Sequence, residues 1–506
     1  MKRLIVFLLL VSTSAALGAQ VYVSTDKGAY VAGDRIWCSV FCAPGPAVAY
    51  IELISTESVA ARTRVDVRSG RGGGSLTVPF GTPTGKYRLV AYTDPSEADA
   101  SSGPVLNVYN TLSTARVKDG VEVVDSVPSS EAAAMQAGYG ISGGVEGQSL
   151  RLGNDSGRPV TLSVSLYRED SLEPASRHSI AGFTPGPASE ESSGEQLRAR
   201  IVGEADGDLT GIIAVPGAKT DCYSALAGKD GSFCFDTENI FGSRDLVCQL
   251  SGLKEGSICH LEIENPFAGP SVDGLERLRI CRSQETDLVR RSAAMKTGAV
   301  TDTLAVSLPM RREHFFLTHE CISYVLDDYT RFPTMEEVFV EIIPQVKLRR
   351  RDGKPRIYTL MQTSVADAQP RWGDTVVMID GVPVLDQSLV EKYDPAIVKA
   401  VEVYPCRYIL GESVFDGVVN LVTFKGDMPG VLFDDNVRIY SFEGCSLPQV
   451  HRGTETLYWN PLVSVGKDGS FSVDVDGLRA GERYTLCAEG LTDTGRAVYF
   501  RKTFVR

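Results

Sequence analysis

Residues 415–430 read FDGVVNLVTFKGDMPG, and residues 376–387 read VVMIDGVPVLDQ. In the second stretch an apolar run breaks at Asp380-Gly381, a pair that readily takes positive φ in a two-residue turn, and so predicts a hairpin. In the first, Gly417 lets a strand start close against another backbone, and Val418 to Phe424 supply apolar strand letters. Helix signals surround them. Thr334 with Glu337 forms a capping box ahead of Met335, Val338 and Ile342, which share one apolar face, and Pro344 ends the helix. Ser388 with Glu391 makes a second capping box, and Asp394-Pro395 starts a short turn. With the strands VVMI, AVEVYP and VVNLVTF around these helices, residues 330–427 are predicted to form an α+β unit.

The text on either side is β. From Gln20 to about Val117, short apolar runs alternate with turn signals such as Gly33-Asp34 and Thr84-Gly85, the rhythm of a sandwich. Residues 125–140 are small and polar and read as a linker, as does TPGPASEESSGEQ at 184–196. Between them Leu162, Val164 and Leu166 alternate with Ser163, Ser165 and Tyr167, which predicts a half-buried strand. The letters GKDGSF occur twice, at 228–233 and 466–471, and each Asp-Gly predicts a tight hairpin. Leu275 to Lys296 is charged with helical spacing. The expected fold class is mainly β and multidomain: immunoglobulin- or macroglobulin-like sandwiches with one α+β domain. Its expected parts are a sandwich at 20–118, a partial β module at 141–180, a sandwich at 197–270, the α+β domain at 330–427 and a last sandwich at 431–506.

Three resemblances sharpen this division. TDKGAYVAGDRIWCSV at 25–40, followed by the closing strand Gly85 to Leu89, resembles the second macroglobulin-type (MG2) domain of the alpha-2-macroglobulin family. The segments 197–270 and 431–506 resemble carboxypeptidase-regulatory-like or immunoglobulin-like modules. The unit 330–427 resembles the plug domain of TonB-dependent outer-membrane receptors, through the helix Thr334 to Ile343, the turn Ile379 to Pro383, IVKAVEVY at 397–404, Gly411, Gly417 and the strand Val418 to Phe424. A receptor of that kind also needs a barrel of some 22 strands of about 10 residues. The 76 residues after Gly430 are too few for one. The combination implies an exported Gram-negative envelope protein in which a plug fold is reused without a barrel.

Export is expected from the first residues as well. Lys2 and Arg3 precede an apolar run from Leu4 to Val11 and small residues near Ala16 to Ala19, so 1–19 reads as a signal peptide. That run is too short to span a bilayer, and no later segment reaches the roughly 20 apolar residues a membrane helix needs. The formal charge of −13 becomes −15 once Lys2 and Arg3 are removed, which argues against nucleic acid and against adsorption to anionic lipid. Eleven cysteines occur without a C-x-x-C pair. Cys38 and Cys42 lie four steps apart on one predicted strand, roughly 13 Å, too far for a disulfide.

No residue set points to catalysis. SGEQ at 193–196 has Ser193 where a macroglobulin thioester needs a cysteine. His314 and His319, five apart in HFFLTHE, lack the i, i+4 spacing of a zinc protease and read as hydrogen-bonded side chains in a strand. Asp327-Asp328 and Asp434-Asp435 read as solvated turns rather than calcium ligands. No catalytic residue, metal or cofactor is expected. The aromatics Tyr329, Phe332, Tyr458 and Trp459 are candidate interface residues, because Tyr and Trp favour interfaces. The expected function is a non-enzymatic modular cell-envelope protein that mediates protein interactions at the outer membrane or periplasm, accessory to a TonB-dependent uptake system. The alternative is a macroglobulin-like protease inhibitor without a thioester, with bait segments at 125–140 and 180–196.

Overall fold

A computed structural model describes residues 21–127, 136–137, 140–190, 192–205, 207–217, 222–254, 256–297, 300–308, 314–361 and 371–506. The signal-peptide reading and most of the linker at 125–140 fall outside these residues. The chain is mainly β and divides into two compact units. One comprises Met1–Ser192, Phe267–Ser307 and Cys445–Arg506, and the other Ser193–Pro266 and Leu308–Gly444.

In the first unit, the strands Tyr22–Thr25, Arg35–Phe41, Arg71–Thr77, Val59–Arg68, Val48–Ile54, Gly85–Tyr92, Val105–Tyr109 and Ala29–Val31 follow one another across a sheet. Val59–Arg68 is long enough to pair with Val48–Ile54 along most of its length and with Arg71–Thr77 at its end. The sheet thereby folds over a core that includes Val23, Ile36, Val40, Ile51, Leu53, Val65 and Leu89. The run Gly72-Gly73-Gly74 is small for a physical reason. A Cβ on Gly73 would stand 2.4 Å from Pro461 Cβ, and one on Gly74 2.9 Å from Val65 and 3.1 Å from Ser446, so only glycine admits this close approach of the C-terminal sandwich.

That C-terminal sandwich corrects two boundaries. Val160–Arg168 lies between Thr456–Val465 and Arg483–Thr492, paired antiparallel to both. Opposite, Ile141–Glu146 and Ser149–Asn154 take Ser470–Asp474 as their third strand. Residues 141–180 are therefore no partial module of their own. A single two-stranded ribbon cannot bury a core, and these strands complete the final sandwich. The strand is also not half-buried. Ser163, Ser165 and Tyr167 are as enclosed as Leu162, Val164 and Leu166, because a central strand covered on both faces accepts small polar letters that mimic alternation.

In the second unit, Ser232–Asp236, Gln196–Gly203 and Cys259–Ile263 form one sheet, and Cys222–Leu226, Thr210–Ala214, Ser243–Ser251 and Arg438–Glu443 form another. Arg438–Glu443 was expected in the last module; here it is the edge strand beside Ser243–Ser251. The two GKDGSF turns are not hairpins either. The strand before each belongs to a different sheet from the strand after it, so each turn carries the chain across a sandwich. Positive φ falls on Gly231 in one copy and on Asp468 in the other.

Beside this sandwich lies the α+β layer. Its strands run Ile322–Val325, Val398–Tyr404, Gly417–Thr423, Trp372–Ile379, Lys354–Leu360, Val346–Arg351, with Trp372–Ile379 and Gly417–Thr423 parallel. The sheet thus begins at Ile322, ahead of residue 330. The helix Met335–Glu341 is capped by Thr334, whose hydroxyl accepts the Glu337 N–H at 3.3 Å, and it buries Met335, Val338 and Phe339. The second capping box does not form. Ser388 donates instead to Asp386, from N at 3.0 Å and from Oγ at 2.7 Å, since a nearby carboxylate is the stronger acceptor. In 275–296, only Glu285–Lys296 is α-helical; Leu278–Ile280 is a strand parallel to Val121–Val123.

Candidate interaction surfaces

The four candidate interface aromatics do not form one surface. Tyr329 is 45% exposed, whereas Phe332 is partly buried against the core of the α+β layer. Tyr458 and Trp459 belong to the other unit and are buried at 3% and 0%. Their strand, Thr456–Val465, sits between Val160–Arg168 and Gln449–Gly453; Tyr458 belongs to the sandwich core, and Trp459 is fully buried. Tyr458 and Trp459 thus present almost no surface to solvent.

Among the exposed large apolar residues, two stand side by side on a small hairpin, Tyr408–Leu410 with Ser413–Phe415. Ile409 and Val414 face each other directly across it and are 64% and 56% exposed. Cross-strand pairing explains why two apolar side chains are adjacent, but not why both remain mostly wet. The other face is anchored. Tyr408 and Leu410 are buried among Phe316, Tyr404 and Val418, and Phe315 meets Tyr408 edge-on at 4.8 Å. At the turn, Gly411 N–H donates to Ser224 Oγ at 2.9 Å. Gly411 has φ +61°, and a Cβ there would meet Thr210 Cγ2 at 2.3 Å. Glycine is required on both counts. Sequence reading singled out Gly411 but missed Ile409 and Val414; their one signal is apolar letters on both faces of a short hairpin, in YILGESVF.

Asp380 has a second role besides its turn. It and Gly381 have φ +48° and +78°, the paired left-handed residues of a two-residue hairpin joining Ile379 to Val382. Its carboxylate is fully buried and accepts Thr423 N–H at 2.8 Å, Thr423 Oγ1 at 2.6 Å and Met428 N–H at 2.9 Å. One residue thus turns the hairpin and pins residues 423–428.

The remaining polar clusters are occupied by their own partners. In the first unit, Glu489 accepts Tyr22 Oη–H at 2.7 Å and Ser24 Oγ–H at 3.1 Å, with Arg501 Nη2 at 3.3 Å from its other oxygen. Burial, reinforced by Glu489, pushes the Tyr22 hydroxyl well above its usual range. His178 stacks on Tyr22 at 5.0 Å, and burial lowers its pKa. The cleft these residues line has a volume of about 10 Å³, room for roughly one water molecule. Nearby, Asp26 takes hydrogen bonds from Tyr30, Thr456 and the Trp37 N–H. Burial raises that carboxyl, but Lys27 and the hydroxyls of Thr456 and Tyr30 outweigh it and hold the group below the ordinary range.

The histidine and acid motifs resolve the same way. HFFLTHE is not a strand: Phe315–Thr318 is a helical turn, in which His314 O accepts the Leu317 and Thr318 N–H groups and Phe315 O accepts the His319 N–H. His314 Nε2 lies 2.8 Å from Glu238, and His319 stacks on Phe315 at 4.4 Å. Asp327 holds Arg331, and Asp434 accepts its own Asn436 N–H at 2.9 Å. Among the described residues no three His, Cys, Asp or Glu side chains gather closely enough to hold a metal ion. In SGEQ, Gln196 opens a strand paired to Asp236, and a Cβ on Gly194 would strike Thr237 O at 2.0 Å. Cys38, Cys42, Cys234, Cys248, Cys259, Cys281, Cys321, Cys406 and Cys487 stand as free thiols.

No protein-family model matches the chain, and no curated protein matches it in sequence. Solved structures with some likeness include Salmonella alpha-2-macroglobulin, at 9% identity over 96% of this chain and 39% of that one, with a TM-score of 0.24. E. coli alpha-2-macroglobulin gives 8% identity over 97% and 40%, with a TM-score of 0.25. A tandem-repeat segment from the extending region of a large adhesion protein gives 10% identity over 96% and 98%, with a TM-score of 0.13. The chain spans about two fifths of the length of the two macroglobulins.

Proposed function

We propose that this chain is a non-enzymatic modular protein of the cell envelope that binds a partner protein at the outer membrane or in the periplasm, in the service of a TonB-dependent uptake system. The observation that carries the reading is the apolar pair Ile409 and Val414, held out in water on a hairpin whose other face is locked by Tyr408, Leu410 and Gly411. A rigid apolar pair loses little conformational entropy when covered, which favours binding. Export is supported by the Lys2-Arg3 and apolar start, and the TonB association by the plug-like letters of 330–427. The buried Glu489 is committed within its own unit to Tyr22, Ser24 and Arg501.

The inhibitor alternative has less support. Its bait segment at 180–196 is fastened down: Ser189 N–H donates to Pro44 O at 2.9 Å and Ser192 N–H to Gly45 O at 2.8 Å, and Ile180 is fully buried. A bait must be offered to a protease in extended, mobile form. Replacing Ile409 and Val414 by serine tests the favoured reading. Partner capture from crosslinked envelopes is expected to vanish while the fold persists, and capture that survives both changes would count against it.

A further inference from the structure

The stretch KLRRRDGKPR at 347–356 holds six cations and one acid in a chain of net charge −13. It forms the hairpin Val346–Arg351 with Lys354–Leu360, closed by Asp352 and Gly353 at φ +52° and +76°. Its register decides where the charges go. Lys347 stands opposite Tyr358, Arg349 opposite Arg356, and Arg351 opposite Lys354, and residues opposite one another share a face. Five exposed cations therefore occupy one face. The inner face carries Val346 and Ile357 into the core and joins Arg350 to Glu391.

This pattern costs stability if left alone. Like charges directly opposite in a sheet repel, and among the described residues none of the five has an acid partner within ion-pair distance. Cations on an edge strand guard it against aggregation. That explains Lys347, Arg349 and Arg351, since Val346–Arg351 ends the sheet. It does not explain Lys354 and Arg356 on the inner strand. At the margin the strand Trp372–Ile379 continues the same face with one exposed acid, Asp374, opposite Tyr358, and with half-buried Trp372 opposite Leu360, Lys347 Nζ 3.9 Å from its ring centre.

We infer that this face docks on an anionic lipid surface. Two rows about 4.8 Å apart, with charges about 6.8 Å apart along each, make a plane of positive charge. A bilayer offers a plane of phosphates that meets both rows at once. An acidic strand added to the edge would reach only the outer row, and a single nucleic-acid strand offers one line of phosphates. Tyr358 and Trp372 are residue types suited to the headgroup level. The chain's overall acidity does not prevent this, because charge concentrated on one hairpin orients the molecule as well as attracting it.

The test uses the full chain and sedimentation with vesicles of phosphatidylcholine alone, or with about a third phosphatidylglycerol. Binding is expected only to the anionic vesicles and is expected to weaken as salt rises. The double change Arg349→Gln and Arg356→Gln is expected to weaken binding about 25-fold, at about fivefold per cation. Arg350→Gln removes equal charge per residue from the same hairpin but from its other face, and is expected to leave binding within about twofold. Circular dichroism of each variant separates lost binding from lost fold. Equal binding to both vesicles, an Arg350→Gln loss matching that of the double variant, or binding to an oligonucleotide or a glutamate-rich peptide without vesicle binding, overturns the inference.

Discussion

Arg291 grips Asp170 with two prongs, Nε to Oδ2 at 2.7 Å and Nη2 to Oδ1 at 2.8 Å, while Nη2 also reaches Glu173 Oε1 at 2.7 Å. Its remaining nitrogen donates to the carbonyl of Ala29. The guanidinium is 1% exposed and sits on the helix Glu285–Lys296, which it ties to the first sandwich and to the loop at 170–173. Removing it strands buried carboxylates. Arg291→Ala is expected to cost about 3–5 kcal/mol, and Arg291→Lys a substantial part of that, because an ammonium cannot form the two-pronged pair. Urea unfolding checks this, with exposed Arg282→Ala as the control. A loss below about 1 kcal/mol would show that the pair is no more than a surface contact.

His451 sets an acid limit on the same unit. It stacks on Trp37 at 4.8 Å and is buried, and burial brings its pKa down to about 4, against the smaller opposing pull of Asp26. The unfolded chain, with an ordinary value near 6.5, binds the proton first on acidification. Stability from this group is therefore complete above about pH 6.5 and declines as pH falls toward 4, by about 3 kcal/mol in all. His451→Phe is expected to flatten that part of the pH profile. A wild-type profile flat between these limits would contradict the assignment.

The basic hairpin makes a stability prediction separate from its ligand. Arg349→Glu places an acid opposite Arg356 and turns a repelling pair into an attracting one. Thermal unfolding should shift upward, equivalent to about 0.2–1 kcal/mol. A downward shift would mean that the arginines are already compensated.

Thiol chemistry reports burial directly. Burial pushes the thiols of Cys38, Cys42 and Cys248 up to about 12, while Cys234 and Cys321 are exposed. Maleimide at neutral pH is expected to label Cys234 and Cys321 in the native protein within minutes and to reach the other three only on unfolding. Prompt native labelling of Cys38 would show that the first sandwich opens.

What the residues disclosed was local, and what they hid was long-range. Asp380-Gly381 announces its hairpin because positive φ is a property of the pair itself. Its clamp on Thr423 and Met428 is invisible, since those partners are more than 40 residues away. GKDGSF announces a turn but not whether the next strand returns to the same sheet. Leu162 to Tyr167 alternates apolar and polar letters, yet both faces are covered, because serine is small enough to bury. Tyr458 and Trp459 look like interface residues by type alone, and only the neighbouring strands reveal them as core. The charge on 347–356 is plain in the letters but disappears when averaged over the chain.

The proposed seat of a partner is the Ile409–Val414 pair. A photo-crosslinking residue placed in turn at 409, at 414 and at Leu432, which is 82% exposed elsewhere on the unit, tests this in intact cells. The expected result is one discrete adduct, the same partner by mass spectrometry from 409 and 414, and absent from 432. No adduct at the hairpin, or the same mixture from all three positions, would contradict it.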